Sequence, residues 1–119
     1  MATIHQDIDG QAFKPTTTTE PITAWVAIGD GQPGAYLIQL DHQIKGVDKK
    51  AILGIKADVL GKALRINATI TDVMGQTNWT SITVFVQEGI KKPAIYGPYQ
   101  YEVPADKDSI VYTFKTEFQ

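Results

Sequence analysis

Residues 64–72 run Leu64-Arg65-Ile66-Asn67-Ala68-Thr69-Ile70-Thr71-Asp72, with apolar and polar side chains alternating, and the pattern returns in Ile110-Val111-Tyr112-Thr113-Phe114-Lys115-Thr116-Glu117-Phe118. Successive side chains of a strand point to opposite faces. These runs therefore bury Leu64, Ile66, Ala68 and Ile70, and Ile110, Tyr112, Phe114 and Phe118, while Arg, Asn, Thr, Lys and Glu meet water. Each reads as a strand of an antiparallel sheet that is wet on one side.

Strand signals recur along the rest of the chain. Residues 1–21 are polar and close in Thr16-Thr17-Thr18-Thr19-Glu20-Pro21, which reads as an extended Thr-rich arm ahead of a single domain at 22–119. Ile22 to Ile28 is nearly all apolar, which predicts a strand covered on both faces with Trp25 buried. Gly29-Asp30-Gly31-Gln32-Pro33-Gly34 is dense in turn residues and predicts a hairpin returning through Ala35 to Leu40. His42 to Lys50 reads as a polar connection, Ala51 to Ala57 as a strand, and Asp58 to Lys62 as a turn or one helical turn. A loop over Asp72 to Trp79 and a strand over Thr80 to Val86 complete a second expected hairpin. Gly89 to Pro98 connects to a strand through Tyr99, Tyr101 and Val103, and Pro104 to Asp108 turns into the last strand.

About seven short strands with turn signals every eight to twelve residues, and no amphipathic helix, predict an all-β fold, a two-sheet antiparallel β-sandwich of immunoglobulin-like general character, with a small β-barrel as the alternative. The chain's 119 residues suffice for one core. Its 43% hydrophobic and 20% charged residues exclude wholesale disorder. A net charge of -2 provides no field to attract nucleic acid or an anionic membrane surface, and no apolar run is long enough to insert in a bilayer. The N-terminal residues show no signal-peptide pattern, which predicts a cytosolic chain or a mature exported one and leaves the compartment open. With no cysteine, disulfides, thiolate nucleophiles and zinc-thiolate sites are excluded together.

The segment from Leu64 to Val84 carries an alternating strand ending in Asp72, a loop containing Gly75, and a Ser/Thr-rich return through Thr80-Ser81-Ile82-Thr83. It resembles the hairpin common in bacterial immunoglobulin-like domains, a likeness that implies a sandwich and covers 21 of the 119 residues. In those domains the hairpin closes the domain, whereas here residues 85–119 follow.

Residues that could carry chemistry are few. The two histidines, His5 and His42, fall in the arm and at a strand end, and neither Ser81 nor Ser109 sits in a nucleophile elbow, so no enzyme is expected. No cofactor is implied, apart from calcium held by loop carboxylates. Asp30, Asp72, Asp106 and Asp108 would supply its oxygens if they met at one end of the sandwich, whereas Asp7-Ile8-Asp9-Gly10 fails the EF-hand spacing. The flat apolar faces and polar handles of Trp79 and Tyr96, with Asn78 and Tyr99 beside them, suit stacking on a glycan or a protein partner. Tyr99 and Tyr101 also share a face with Val103 and fit the core equally well. Asn67 and Asn78 both begin acceptor sequons, in strands where threonine is common anyway. Lys45, Lys49, Lys50, Lys56, Lys62 and Arg65 make the middle of the chain basic, while residues 1–30 hold four acids against Lys14. Such lysines guard a sheet edge or match an unlike end in head-to-tail assembly.

The chain thus reads as a non-catalytic structural or interaction module, self-assembling or part of a larger extracellular or supramolecular assembly, whose partner is a protein or itself. The alternative is a carbohydrate- or small-ligand-binding domain that uses the loop aromatics, with calcium assisting.

Overall fold

The computed structural model describes residues 2–72 and 77–119, so residues 73–76 of the expected 72–79 loop lie outside the described residues. Among the described residues nine strands and one short helix follow in order: β1 (Thr3–Asp9), β2 (Ile22–Ile28), β3 (Gly34–Leu40), β4 (Gln43–Val47), β5 (Ala51–Gly54), α1 (Lys56–Val59), β6 (Ala63–Thr71), β7 (Trp79–Glu88), β8 (Ala94–Glu102) and β9 (Ser109–Glu117). They form two packed sheets, one of five strands in the order β1-β9-β6-β3-β4 and one of four in the order β5-β2-β7-β8. The fold is an all-β sandwich and not a closed barrel.

The alternating strands fill the space between the sheets as expected. Leu64, Ile66, Ala68, Ile70, Ile110, Tyr112 and Phe114 are fully buried, and Ile22, Ala24, Ile82, Val84 and Val86 face them from the other sheet. One polar tie crosses this core. The Tyr112 hydroxyl on β9 donates to the Thr80 carbonyl on β7 at 3.2 Å and lies 2.8 Å from Thr80 Oγ1, which donates to the Tyr101 carbonyl at 2.8 Å. Burial pushes the Tyr112 phenol above its ordinary value.

The strand pairing differs from the sequence expectation in two places. β2 and β3 are not a hairpin, because Gly29–Gly34 carries the chain from one sheet to the other. β2 pairs with β5 and β7, and β3 with β4 and β6. β6 and β7 likewise lie in opposite sheets. The β2–β3 ribbon therefore pairs with the β6–β7 ribbon layer by layer, β2 on β7 and β3 on β6. Strand alternation is the same whether a turn stays in its sheet or arches across the core, so the sequence pattern could not distinguish the two.

Two strands beyond the expected seven come from polar segments. The presumed connection 42–50 contains β4, an edge strand whose partner is β3, and the Thr-rich arm begins with β1. β1 runs parallel to β9 over seven residue pairs, from Thr3 opposite Ser109 to Asp9 opposite Lys115. Beyond it Gly10 crosses close over the core, where a Cβ would lie 2.7 Å from Phe114 Cζ. The expected strand 51–57 ends at Gly54, whose φ of +129° suits only glycine. The helical turn then starts at Lys56, with the Asp58 carboxylate accepting from the Ile55 N–H at 3.0 Å and Val59 plugging the core.

Candidate functional site

At one end of the sandwich Asp72, fully buried, accepts from Gln32 Nε2 at 2.8 Å. With its amide nitrogen turned to the carboxylates, Asn78 donates to Asp72 at 2.8 Å and to Asp106 at 2.7 Å. Two of the four carboxylates considered for calcium thus meet, and an amide joins them. Asp108 is engaged elsewhere, accepting from the backbone N–H of Ala2 at 2.8 Å and of Ala105 at 3.1 Å, which pins the start of β1 to the 104–108 turn. Asp30 is exposed in the connection between β2 and β3 at φ 58°. Among the described residues no three His, Asp or Glu side chains stand close enough to share an ion.

The aromatic candidates divide between two places. Trp79 is 44% exposed and borders a cleft of about 580 Å³ with Thr77, Asn78, Glu102 and Asp106. Tyr96 and Tyr99 lie several residues further along the same β7–β8 ladder, Trp79 pairing with Glu102 and Tyr96 with Val84. At strand rise this places Trp79 and Tyr96 about 17 Å apart. Both tyrosines turn inward onto Phe114, with ring centroids 5.2 Å away for Tyr96 and 6.1 Å for Tyr99. The Tyr96 hydroxyl donates to the Gln11 carbonyl at 3.0 Å, and burial raises both phenol pKa values. These tyrosines pack the rim and anchor the arm, so one site does not unite them with Trp79.

The part of the arm at Thr16 and Thr17 is fastened by a buried acid. Glu88, 4% exposed at the end of β7, accepts from the backbone N–H groups of Thr16 and Thr17 at 3.0 Å, from Thr16 Oγ1 at 2.7 Å and from Thr17 Oγ1 at 3.3 Å. Lys91 stands 3.5 Å away and also donates to Thr16 Oγ1. Burial opposes the Glu88 charge, but these hydrogen bonds and Lys91 outweigh it and lower the pKa to about 2.

A surface that the sequence pattern hides is the outer side of the four-stranded sheet. Trp25 was expected in the core, yet it is only half-buried and stacks on Phe85 with centroids 5.2 Å apart and planes 8° from parallel. Phe85 is paired in turn with Ile95, which is 57% exposed, and Ile52 on β5, 68% exposed, pairs with Thr23 beside Trp25. Lys50 Nζ lies 4.2 Å above the Trp25 ring, a cation–π contact. Trp79 occupies an outward position on the same sheet. No charged side chain interrupts the outward positions of β2 or β7, which are Thr23, Trp25, Ala27, Trp79, Ser81, Thr83, Phe85 and Gln87. An apolar run such as 22–28 looks covered on both faces when read alone. Only the position of β2 in the sheet shows that its Trp25 side faces outward, with the Lys50 side chain lying over the ring.

Comparison of the chain with protein-family models, with curated proteins and with solved structures returned no match.

Proposed function

We propose that this protein is a non-catalytic interaction module that pairs with a second copy of itself through the outer face of its four-stranded sheet. The observation that carries this reading is the uncharged rung of Trp25, Phe85 and Ile95 with Ile52 beside it. Contiguous apolar patches of this kind on soluble domains mark contact surfaces. Scattered exposed residues do not.

A second copy suits this face for two reasons. Across a two-fold interface a charge meets its own duplicate only near the axis, a penalty that is small where the central strands β2 and β7 present none. The face also has the size of a weak, reversible contact. Its strands of 4, 7, 10 and 9 residues cover roughly 480 Å² in projection, against roughly 600 Å² per partner at the lower end of specific interfaces. Two placements support the non-catalytic reading: the Ser109 hydroxyl is paired with Thr71 Oγ1 at 3.1 Å, and His5 is an exposed residue of edge strand β1.

Sedimentation equilibrium of the full chain from about 1 to 500 micromolar tests the reading. A mass rising toward twice that of the monomer, and held at the monomer value by Ile95→Lys, is expected. A monomer at every concentration would overturn the proposal, as would a dimer that Ile95→Lys leaves intact.

A further inference from the structure

The opposite face of the sandwich has the contrary character. On the outer side of the five-stranded sheet Asp9, Lys115, Arg65 and Gln39 form one rung, each the cross-strand partner of the next, and Asp7, Thr113, Asn67 and Leu37 form the rung beside it. Lys115 and Arg65 are therefore two cations directly opposite one another on neighbouring strands, an arrangement that repels.

Asp9, the partner of Lys115 on its other side, offsets part of that repulsion, but nothing of the kind stands beside Arg65 among the described residues. Lys115 reaches Glu117 only at 4.0 Å. Arg65 has no ion pair or side-chain hydrogen bond among the described residues, and its Nε is shielded from water without an acceptor. Shielded donors of this kind are rare in folded proteins. The two rungs apart from Leu37, with His42, line a depression of about 460 Å³, within the range of small-molecule sites.

The geometry points to a binding site for a hydroxyl-rich carboxylate, a uronic acid residue of an oligosaccharide, with its carboxylate between Arg65 and Lys115 and its hydroxyls on Asp7, Asp9, Asn67 and Gln39. A guanidinium takes a carboxylate through two parallel hydrogen bonds. Carboxylates accept from hydroxyls, and side-chain amides both donate and accept, so the flanking residues match a sugar ring edge. Inorganic phosphate and the nucleic-acid backbone lack the ring of hydroxyls that Asp7, Asp9, Asn67 and Gln39 match, and this contact, rather than net charge, favours the sugar acid. Dimerisation through the opposite sheet leaves this face open, so the two proposals stand or fall separately.

Titration of the isotopically labelled full chain with trigalacturonate, maltotriose and sodium phosphate at matched ionic strength, followed by amide NMR shifts, tests the assignment. Saturable shifts centred on Arg65, Asn67 and Thr113 with trigalacturonate are expected, with binding at least about tenfold weaker in Arg65→Gln. Lys115→Gln should weaken it in the same direction and serves if Arg65→Gln does not fold. Equal binding of maltotriose or phosphate overturns the proposal. So does an absence of saturable binding, a shift map centred on Trp79 and Asn78, or undiminished binding in the folded variants.

Discussion

Glu88 shows how a single side chain fixes a long segment. Its carboxylate gathers the Thr16 and Thr17 donors across more than seventy residues of sequence, and its pKa falls from an ordinary value of 4.5 to about 2. A carboxyl whose folded pKa is depressed contributes stability above its unfolded pKa and loses it as the pH falls through the folded one. The contribution is therefore complete above about pH 4.5 and gone near pH 2, and a shift of this size corresponds to about 3 kcal/mol. Glu88→Gln should lower the unfolding free energy at pH 7 by about 2 kcal/mol, since the amide keeps one acceptor and presents two donors to donors. Urea titrations of both proteins at intervals from pH 7 to 2 check this. The gap between them should narrow through the acid range, and a gap independent of pH would show that the charge is not what holds the arm. The Thr-rich tract announced an extended arm, but nothing local in Glu88 marked it as the anchor, because its partners lie at the far end of the domain.

The elements differ in how plainly the sequence announced them. β6 and β9 were legible because each has one buried and one wet face, and the pleat turns that contrast into alternation. β4 was not, since an edge strand can carry Gln43, Lys45 and Gly46 without disturbing a core, and its Ile44 and Val47 point to solvent at 59% and 55% exposure. β1 escaped for the same reason, as only Ile4 and Ile8 pack inward against the core. The same distinction predicts a hierarchy of opening. β6 is paired on both sides over residues 64–70 and β7 through its middle between Ile82 and Val86, whereas β4 and β5 are short and paired on one side. Backbone amides of β6 and β7 should therefore exchange with deuterium only on global unfolding, and those of β4 and β5 should exchange faster by roughly a hundredfold or more. β1 should fall between, held by a parallel ladder, by Asp108 at its start and by the crossing at Gly10. Protection of β4 equal to that of β6 would mean that β4 is covered by something other than β3, a second molecule included.

For the whole molecule, the two outer faces differ in the physics that would bring a partner to them. The Trp25–Phe85–Ile95 face is uncharged along its central strands, so association there draws on apolar burial, which salt screens little and strengthens slightly at high concentration. The Arg65–Lys115 face works through charge, and an exposed ion pair weakens as the Debye length contracts from about 10 Å at 0.1 M to a few ångströms at 1 M. Salt should therefore separate the two. Raising sodium chloride from about 0.05 to 0.5 M should leave the monomer–dimer constant within about twofold, while trigalacturonate binding weakens several-fold over the same range. Sedimentation equilibrium and the NMR titration, run in the same buffers, read both quantities. Dimerisation that collapses with salt would instead place the contact at the oppositely charged edges, where Asp7 and Asp9 on β1 stand across the sheet from Lys45 on β4. Head-to-tail joining of those edges gives an assembly that does not stop at two, so the limiting mass at low salt would identify it.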